Sequence, residues 1–340
     1  MTALPTVDAR VTFRAFGAPD VLEVEVGGAL PEPGPGEARI RIEASSVQYT
    51  DTLIRGGSYP GLKQAPPLTP GYDLVGVVDA VGDGVSAVAV GDRVADLCTT
   101  GGNARYAVRP AAGLVPVPVD LDAAAAATLV LSWVTAWQCL HRVGSVQPGQ
   151  KVLVLGGNGA VGQALIALTL LAGATPYATA SERHHASLRA LGAAPLPREG
   201  WLSEVEGQMD IVVDGVCVDA YRSSYAAVKT GGALVPIGFS AAVQRGDGSL
   251  SVGWAFLRAM VLLNLWPDGK RSHFYSITGL RVKQPGWFRA DLTALFELLQ
   301  RGAIQPTIAE RLPLEQVREA HIRLERGGLS GKLVLEPWSA

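Results

Sequence analysis

The chain has no surplus of either charge: 29 basic residues stand against 31 acidic ones in 340, a formal net charge of −2, and only 18% are charged. That balance leaves no basic stripe for duplex or single-stranded nucleic acid, so no nucleic-acid partner is expected. Cysteine is scarce too. Cys98, Cys139 and Cys217 are odd in number and nowhere spaced as CxxC, which argues against a disulfide framework or cysteine zinc cluster and for reduced thiols in the cytoplasm. The opening MTALPTVDARVTF lacks the basic leader and apolar run of a secretory signal. Two uncharged windows, Ala123 to Leu140 and Val152 to Ala180, are long enough for a membrane check. The first is broken by Thr128, Ser132, Thr135 and Gln138, the second by Gly156, Gly157, Asn158 and Gly159. Both are expected to be buried helices beside a central sheet, with no membrane span.

What is present suggests two domains with a ligand cleft between them. Residues 1–124 hold short strands, VTFRAF, VLEVEV, ARIRIEASS, LVGVVDAV and GDRVADL, separated by turns such as PEPGPGE. At Asp122 the composition switches to an alanine-rich helix, and strands then alternate with helices to Asp268. This is the mark of βαβ units and a parallel sheet, assigned to residues 125–268. Residues 269–340 follow with a loop, an amphipathic helix around Arg289 to Arg301, a helix with Leu314, Val317, Ala320 and Leu324 on one face, and a closing strand GKLVLEP. Too small to stand alone, this tail is expected to return to the first domain.

VLVLGGNGAVG, Val152 to Gly162, carries the chemistry. An apolar strand runs into Gly157, Gly159 and Gly162 in G-x-G-x-x-G spacing. The first glycine suits a tight turn, the second a close backbone approach to a pyrophosphate, the third close packing of helix on strand. Ala160 and Val161 open the helix, whose N-terminal amides and dipole face the anion. Strand, turn, helix and next strand fit within about thirty residues, the span of a dinucleotide-binding βαβ unit. Where NAD-binding versions place an acid at the end of the second strand, Thr179 to Ser181 offer none. Ser181, Arg183 and His184 suit a 2′-phosphate, with Glu182 among them, so NADPH is expected over NADH.

GDRV at Gly91 to Val94, Thr135-Ala136, QPGQKVLVLGGNGAVG, VVDGV, GGALVPIG and GKLVLEP follow one another along nearly the whole chain. In this order they resemble the medium-chain dehydrogenase/reductase superfamily. The resemblance implies an α/β protein: a GroES-like β-rich catalytic domain split around a doubly wound, parallel-sheet Rossmann domain, usually a homodimer through the Rossmann domains. It implies that Thr135 contacts the nicotinamide or its ribose, that Gly238 passes close to the ring, and that Lys332 reaches toward the cofactor. Where the zinc enzymes of this superfamily carry their ligands, the chain has Gln48 in VQYTD, Tyr72 in GYD, and Leu131. Catalytic zinc takes three protein ligands, which this set does not supply, so no zinc is expected. The zinc-free branch holds quinone oxidoreductases and enoyl-thioester reductases. By that resemblance Tyr59, in GGSYP, is the candidate proton donor, with solvent water as the alternative, and Gln48 a candidate hydrogen-bond donor to a substrate carbonyl or to nicotinamide.

Three readings follow. The first is an NADPH-dependent reductase of an α,β-unsaturated acyl-CoA; the second, a quinone or enone reductase; the third, a dinucleotide-binding scaffold with little catalysis. Segments Gly56 to Pro67 and Trp254 to Lys283 are expected to line or cover the cleft. In the latter, apolar residues beside Lys270, Arg271, Arg281 and Lys283 suit a short acyl chain carrying CoA phosphates.

Overall fold

A computed structural model describes residues 7–59, 62, 64–240, 253–255 and 257–339. Met1 to Thr6, part of the opening read for a signal, lie outside the described residues, as do Pro60, Gly61, Lys63 and Phe256 of the expected cleft segments. The chain divides into two compact units: residues 1–131 with 292–340, and residues 132–291. Both divisions fall later than the composition switch and the end of the strand-helix alternation suggest. Physical causes lie at each. The alanine-rich turn Ala123–Thr128 packs on strands of the first unit, and a short sixth strand joins the parallel sheet after Asp268.

The first unit is built on β3 (Glu37–Val47), where Ala38, Ile40, Ile42 and Ala44 alternate inward before the last residues become wholly buried. Antiparallel partners flank it: β4 (Asp73–Val81) along one edge, β6 (Tyr106–Pro110) on its first half and β15 (Lys332–Leu335) on its last residues. β5 (Arg93–Leu97), β7 (Val115–Pro116) and β14 (Ile308–Leu312) complete a seven-stranded sheet, and β1 (Ala9–Thr12) pairs with β2 (Glu23–Val26). Of the expected strand VTFRAF only the start is strand; Phe13 makes a single bridge to Leu68. Because β15 pairs with β3, residues 46–48 and Lys332 come together from opposite ends of the chain.

The second unit is a six-stranded, all-parallel sheet in the order β10-β9-β8-β11-β12-β13. Its members are β8 (Lys151–Leu155), β9 (Thr175–Thr179), β10 (Ala194–Leu196), β11 (Met209–Asp214), β12 (Val228–Pro236) and β13 (Arg271–Ser272). Numbered from β8 the order is 3-2-1-4-5-6, the doubly wound pattern in which a dinucleotide lies across the carboxyl ends at the reversal between the first and fourth strands. β11 is buried along its whole length, as expected of an inner strand covered on both faces. Helix Ala123–Val143, with two wider π-type turns, is long and apolar enough to cross a membrane, yet 83% of its most apolar window is buried inside the protein.

Candidate active site and nucleotide cradle

The carboxyl ends of β8, β9, β11 and β12 form a backbone-made surface. Gly156, at φ +85°, takes the left-handed turn, a role the spacing had given to Gly157. Gly157 is required for another reason: a Cβ there would lie 2.6 Å from the Ala178 Cβ on β9. Gly162 has even less room, since its Cβ would stand 2.4 Å from the Gly156 carbonyl oxygen, so helix Ala160–Leu171 is seated directly on the turn. At Gly159, the residue before that helix, the nearest atom to an added Cβ is the Gly156 oxygen at 3.5 Å, and no side chain caps the helix. The first amides of this helix, at Ala160, Val161 and Gly162, have no partner within it and are suited to an anion. This open, amide-lined turn fits the pyrophosphate of a nicotinamide dinucleotide.

β9 ties into the same turn. The Gly156 amide donates to Thr179 Oγ1 at 3.1 Å and the Gly157 amide to the Thr179 carbonyl at 2.9 Å. Ser181 follows without capping the next turn, leaving its hydroxyl uncommitted to that role. Arg183 is exposed and its Nε donates to His184 Nε2 at 3.1 Å; burial and the Arg183 charge both hold the His184 pKa below its usual value. Thr135, in helix Ala123–Val143, and Gly238, just after β12, also belong to this second unit.

In the first unit lies a cluster made of side chains. Ser46, Gln48, Asp51, Asp73 and Lys332 are all buried. Asp73 accepts from the Ser46 amide at 2.7 Å, the Ser46 hydroxyl at 2.6 Å and Gln48 Nε2 at 2.5 Å. Gln48 Nε2 also donates to Ser46 Oγ, and Gln48 Oε1 accepts from the Lys332 ammonium. The carboxamide thus bridges the ammonium to the carboxylate, its oxygen toward the cation and its N–H groups toward the anion. This corrects the expected role of Gln48: both of its amide hydrogens have internal partners, so it is a spacer between charges rather than a donor to substrate. Lys332 likewise turns into this cluster.

Asp51 accepts from the Gln48 amide at 2.8 Å and the Gly71 amide at 3.2 Å, joining the start of helix Tyr49–Arg55 to the turn before β4. Burial is the main cause of its pKa rising to about 7, and the nearby Asp73 charge adds to it. Burial also raises Asp73, against the pull of Lys332, and lowers Lys332 to about 8. Beside the cluster the Tyr59 and Tyr72 hydroxyls meet at 2.5 Å, their rings edge to face at 5.8 Å. Tyr59 is partly exposed and Tyr72 fully buried. Burial pushes both phenols above their usual range, so both remain neutral O–H groups near pH 7.

A zinc ion does not fit this set. Gln48 is committed on both ends, Tyr72 is a buried phenol held protonated, Leu131 has no ligand atom, and the Lys332 ammonium already supplies the local positive charge. Among the described residues no group of three or more His, Cys, Asp or Glu is arranged for a metal.

Residues 34–119 match the model of the alcohol dehydrogenase GroES-like domain and residues 191–335 that of the zinc-binding dehydrogenase family. The chain belongs to the medium-chain dehydrogenase/reductase superfamily. Within it the chain falls on the side of the quinone oxidoreductases, and it is an NAD(P)H-dependent reductase. It is 29% identical over 338 residues to the synaptic vesicle membrane protein VAT-1 homolog-like of Mus musculus, spanning 96% of this chain and 80% of that one. It is 28% identical to the quinone oxidoreductase of Pongo abelii, spanning 94% and 95%. The solved quinone oxidoreductase of Pseudomonas syringae superposes with a TM-score of 0.83 at 27% identity, covering 97% of this chain and 100% of that one.

Sequence reasoning singled out the glycine turn, Tyr59 and Gln48, but passed over Ser46, Asp51 and Asp73. The signal lay in VQYTD and GYD, each of which carries a carboxylate beside the position of an absent zinc ligand.

Proposed function

We propose that the chain is a zinc-free, NADPH-dependent reductase of carbon–carbon double bonds conjugated to a carbonyl, with an α,β-unsaturated acyl-CoA as substrate. The Tyr59–Tyr72 hydroxyl pair carries this reading. A neutral hydroxyl at Tyr59, partly exposed and backed by the Tyr72 hydroxyl, supports Tyr59 as a proton donor that does without a metal. The bound nicotinamide supplies hydride to the β-carbon. Tyr59 donates the proton to the α-carbon, and the Tyr72 hydroxyl orients Tyr59 and stabilises the phenolate it leaves. Backbone amides at Ala160 to Gly162 hold the pyrophosphate, and Ser181, Arg183 and His184 favour the 2′-phosphate of NADPH. Thr135 and Gly238 serve the nicotinamide half.

The acyl-CoA choice is supported by residues 269–290, where Lys270, Arg271, Arg281, Lys283 and Arg289 occur without one Asp or Glu. Such a one-sign segment suits a phosphate-bearing substrate. A quinone or enone is the second reading, favoured by the relatives named as quinone oxidoreductases. A homodimer belongs to the proposal: Trp254, Leu265 and Trp266 are 54%, 73% and 70% exposed on the run leading to the edge strand β13, an apolar surface suited to a second copy. The buried thiols of Cys98, Cys139 and Cys217 accord with a cytoplasmic location.

Oxidation of NADPH is to be followed with crotonyl-CoA, a branched enoyl-CoA and a quinone. Turnover with an enoyl-CoA is the expected result. Turnover with the quinone alone would replace the substrate class, and turnover with none, despite nucleotide binding, would replace the enzyme by a binding protein.

A further inference from the structure

The crossing from β11 to the next helix is bent in a way no glycine explains. Cys217, Ala220 and Tyr221 have φ of +58°, +54° and +65°, the left-handed region that residues with a Cβ seldom enter. The bend is pinned from below by Asp214, the last residue of β11. Its buried carboxylate accepts from the amides of Val216 and Cys217, at 2.7 and 2.9 Å, and from the Ser224 hydroxyl at 2.6 Å. The outcome is to turn Tyr221, only 1% exposed, inward, where its hydroxyl donates to the Gly238 carbonyl at 2.7 Å.

Gly238 follows β12, and its backbone lies against Gly215, which follows β11: a Cβ on Gly238 would stand 3.2 Å from the Gly215 oxygen. That oxygen accepts from the Ser240 hydroxyl at 3.1 Å. A Cβ on Gly156 would touch the Val216 side chain at 3.5 Å, so the ends of β8, β11 and β12 are contiguous. In this strand order a dinucleotide with its pyrophosphate at Gly159 has its adenosine half on the β9 side and its nicotinamide half across the reversal, over β11 and β12.

We propose that Tyr221 is a positioning residue for the nicotinamide half, its hydroxyl fixing the Gly238 carbonyl and with it the backbone at the end of β12. Strain held at three positions of this turn, Cys217, Ala220 and Tyr221, is thereby put to use: it places a buried hydroxyl where no left-handed glycine loop would put one. The proposal rests on the nicotinamide-nucleotide reading of the second unit.

The test uses the full chain and two ligands, NADPH and 2′,5′-ADP, which shares the adenosine half and lacks nicotinamide. Calorimetric titration of Tyr221→Phe is expected to show the Kd for NADPH rising about 10-fold while that for 2′,5′-ADP stays within about 2-fold, the effect of one buried carbonyl losing its donor. Equal weakening of both ligands, or no weakening of NADPH, would overturn the positioning role. Failure of the unaltered protein to bind either ligand would overturn the cofactor reading instead. Should Tyr221→Phe not fold, Ser240→Ala removes the hydroxyl that donates to the neighbouring Gly215 carbonyl while keeping the Ser240 amide that donates to it at 3.3 Å, and is expected to give the same asymmetry at smaller size; its absence there would equally count against the proposal.

Discussion

The two units solve the problem of holding charge in opposite ways. In the second, the cradle for an anion is backbone: amides at the start of helix Ala160–Leu171, over glycines chosen for contact distance. In the first, charge is held by side chains, an ammonium and two carboxylates buried together and spaced by one carboxamide. The backbone cradle stays open to a ligand because its amides have no other partner within the helix. The side-chain cluster is closed because every donor on Gln48 already has one. Openness marks the place where something binds; closure marks the place where something is held still, here the segments carrying Tyr59 and Tyr72.

If closure is the purpose of the cluster, removing its cation should do the most damage. Lys332→Met leaves Asp73 buried without a countercharge and is expected to lower unfolding free energy by about 3–5 kcal/mol, measured in urea. Adding Asp73→Asn should recover much of that loss, since the pair then leaves together. Next is the cradle: Gly162→Val forces a side chain into the Gly156 carbonyl and is expected to cost about 3 kcal/mol of stability and to abolish measurable NADPH binding. Third, Tyr59→Phe is expected to lower kcat for an enoyl-CoA about 100-fold with KM little changed; a full rate across pH would move the donor role to water. Fourth, Arg183→Ala should raise KM for NADPH about 10-fold and leave that for NADH nearly unaltered, as befits one exposed phosphate contact.

The last effect is in pH dependence. Asp51 titrates at about 7 in the folded chain against 3.8 as the ordinary value, so its folded form binds the extra proton between those limits. Its contribution to stability is full below about pH 3.8 and is lost as pH rises through about 7. Asp51→Asn should flatten that fall, seen by comparing thermal midpoints of the two proteins across the window.

How much of this was legible in the sequence follows the same division. Gly157, Gly159 and Gly162 lie within six positions, so their spacing alone gave strand, turn and helix, erring only in which glycine, Gly156, takes the left-handed conformation. Gln48, Asp73 and Lys332 are separated by up to 284 positions, and only the pairing of β15 with β3 brings the last to the first. Spacing along the chain carries no trace of that pairing; the expectation that Lys332 reaches toward the cofactor came from the family resemblance of GKLVLEP alone. β13 escaped notice because two residues, Arg271 and Ser272, show no periodicity. Tyr221 could not be foreseen either, since nothing in its neighbours announces a left-handed tyrosine.

The central claim, a reductase that needs no metal, is tested most directly by one measurement: steady oxidation of NADPH with crotonyl-CoA before and after exhaustive treatment with a zinc chelator. The account predicts turnover that is unchanged by chelation and faster with NADPH than with NADH. Loss of turnover on chelation, restored by added zinc, would contradict it.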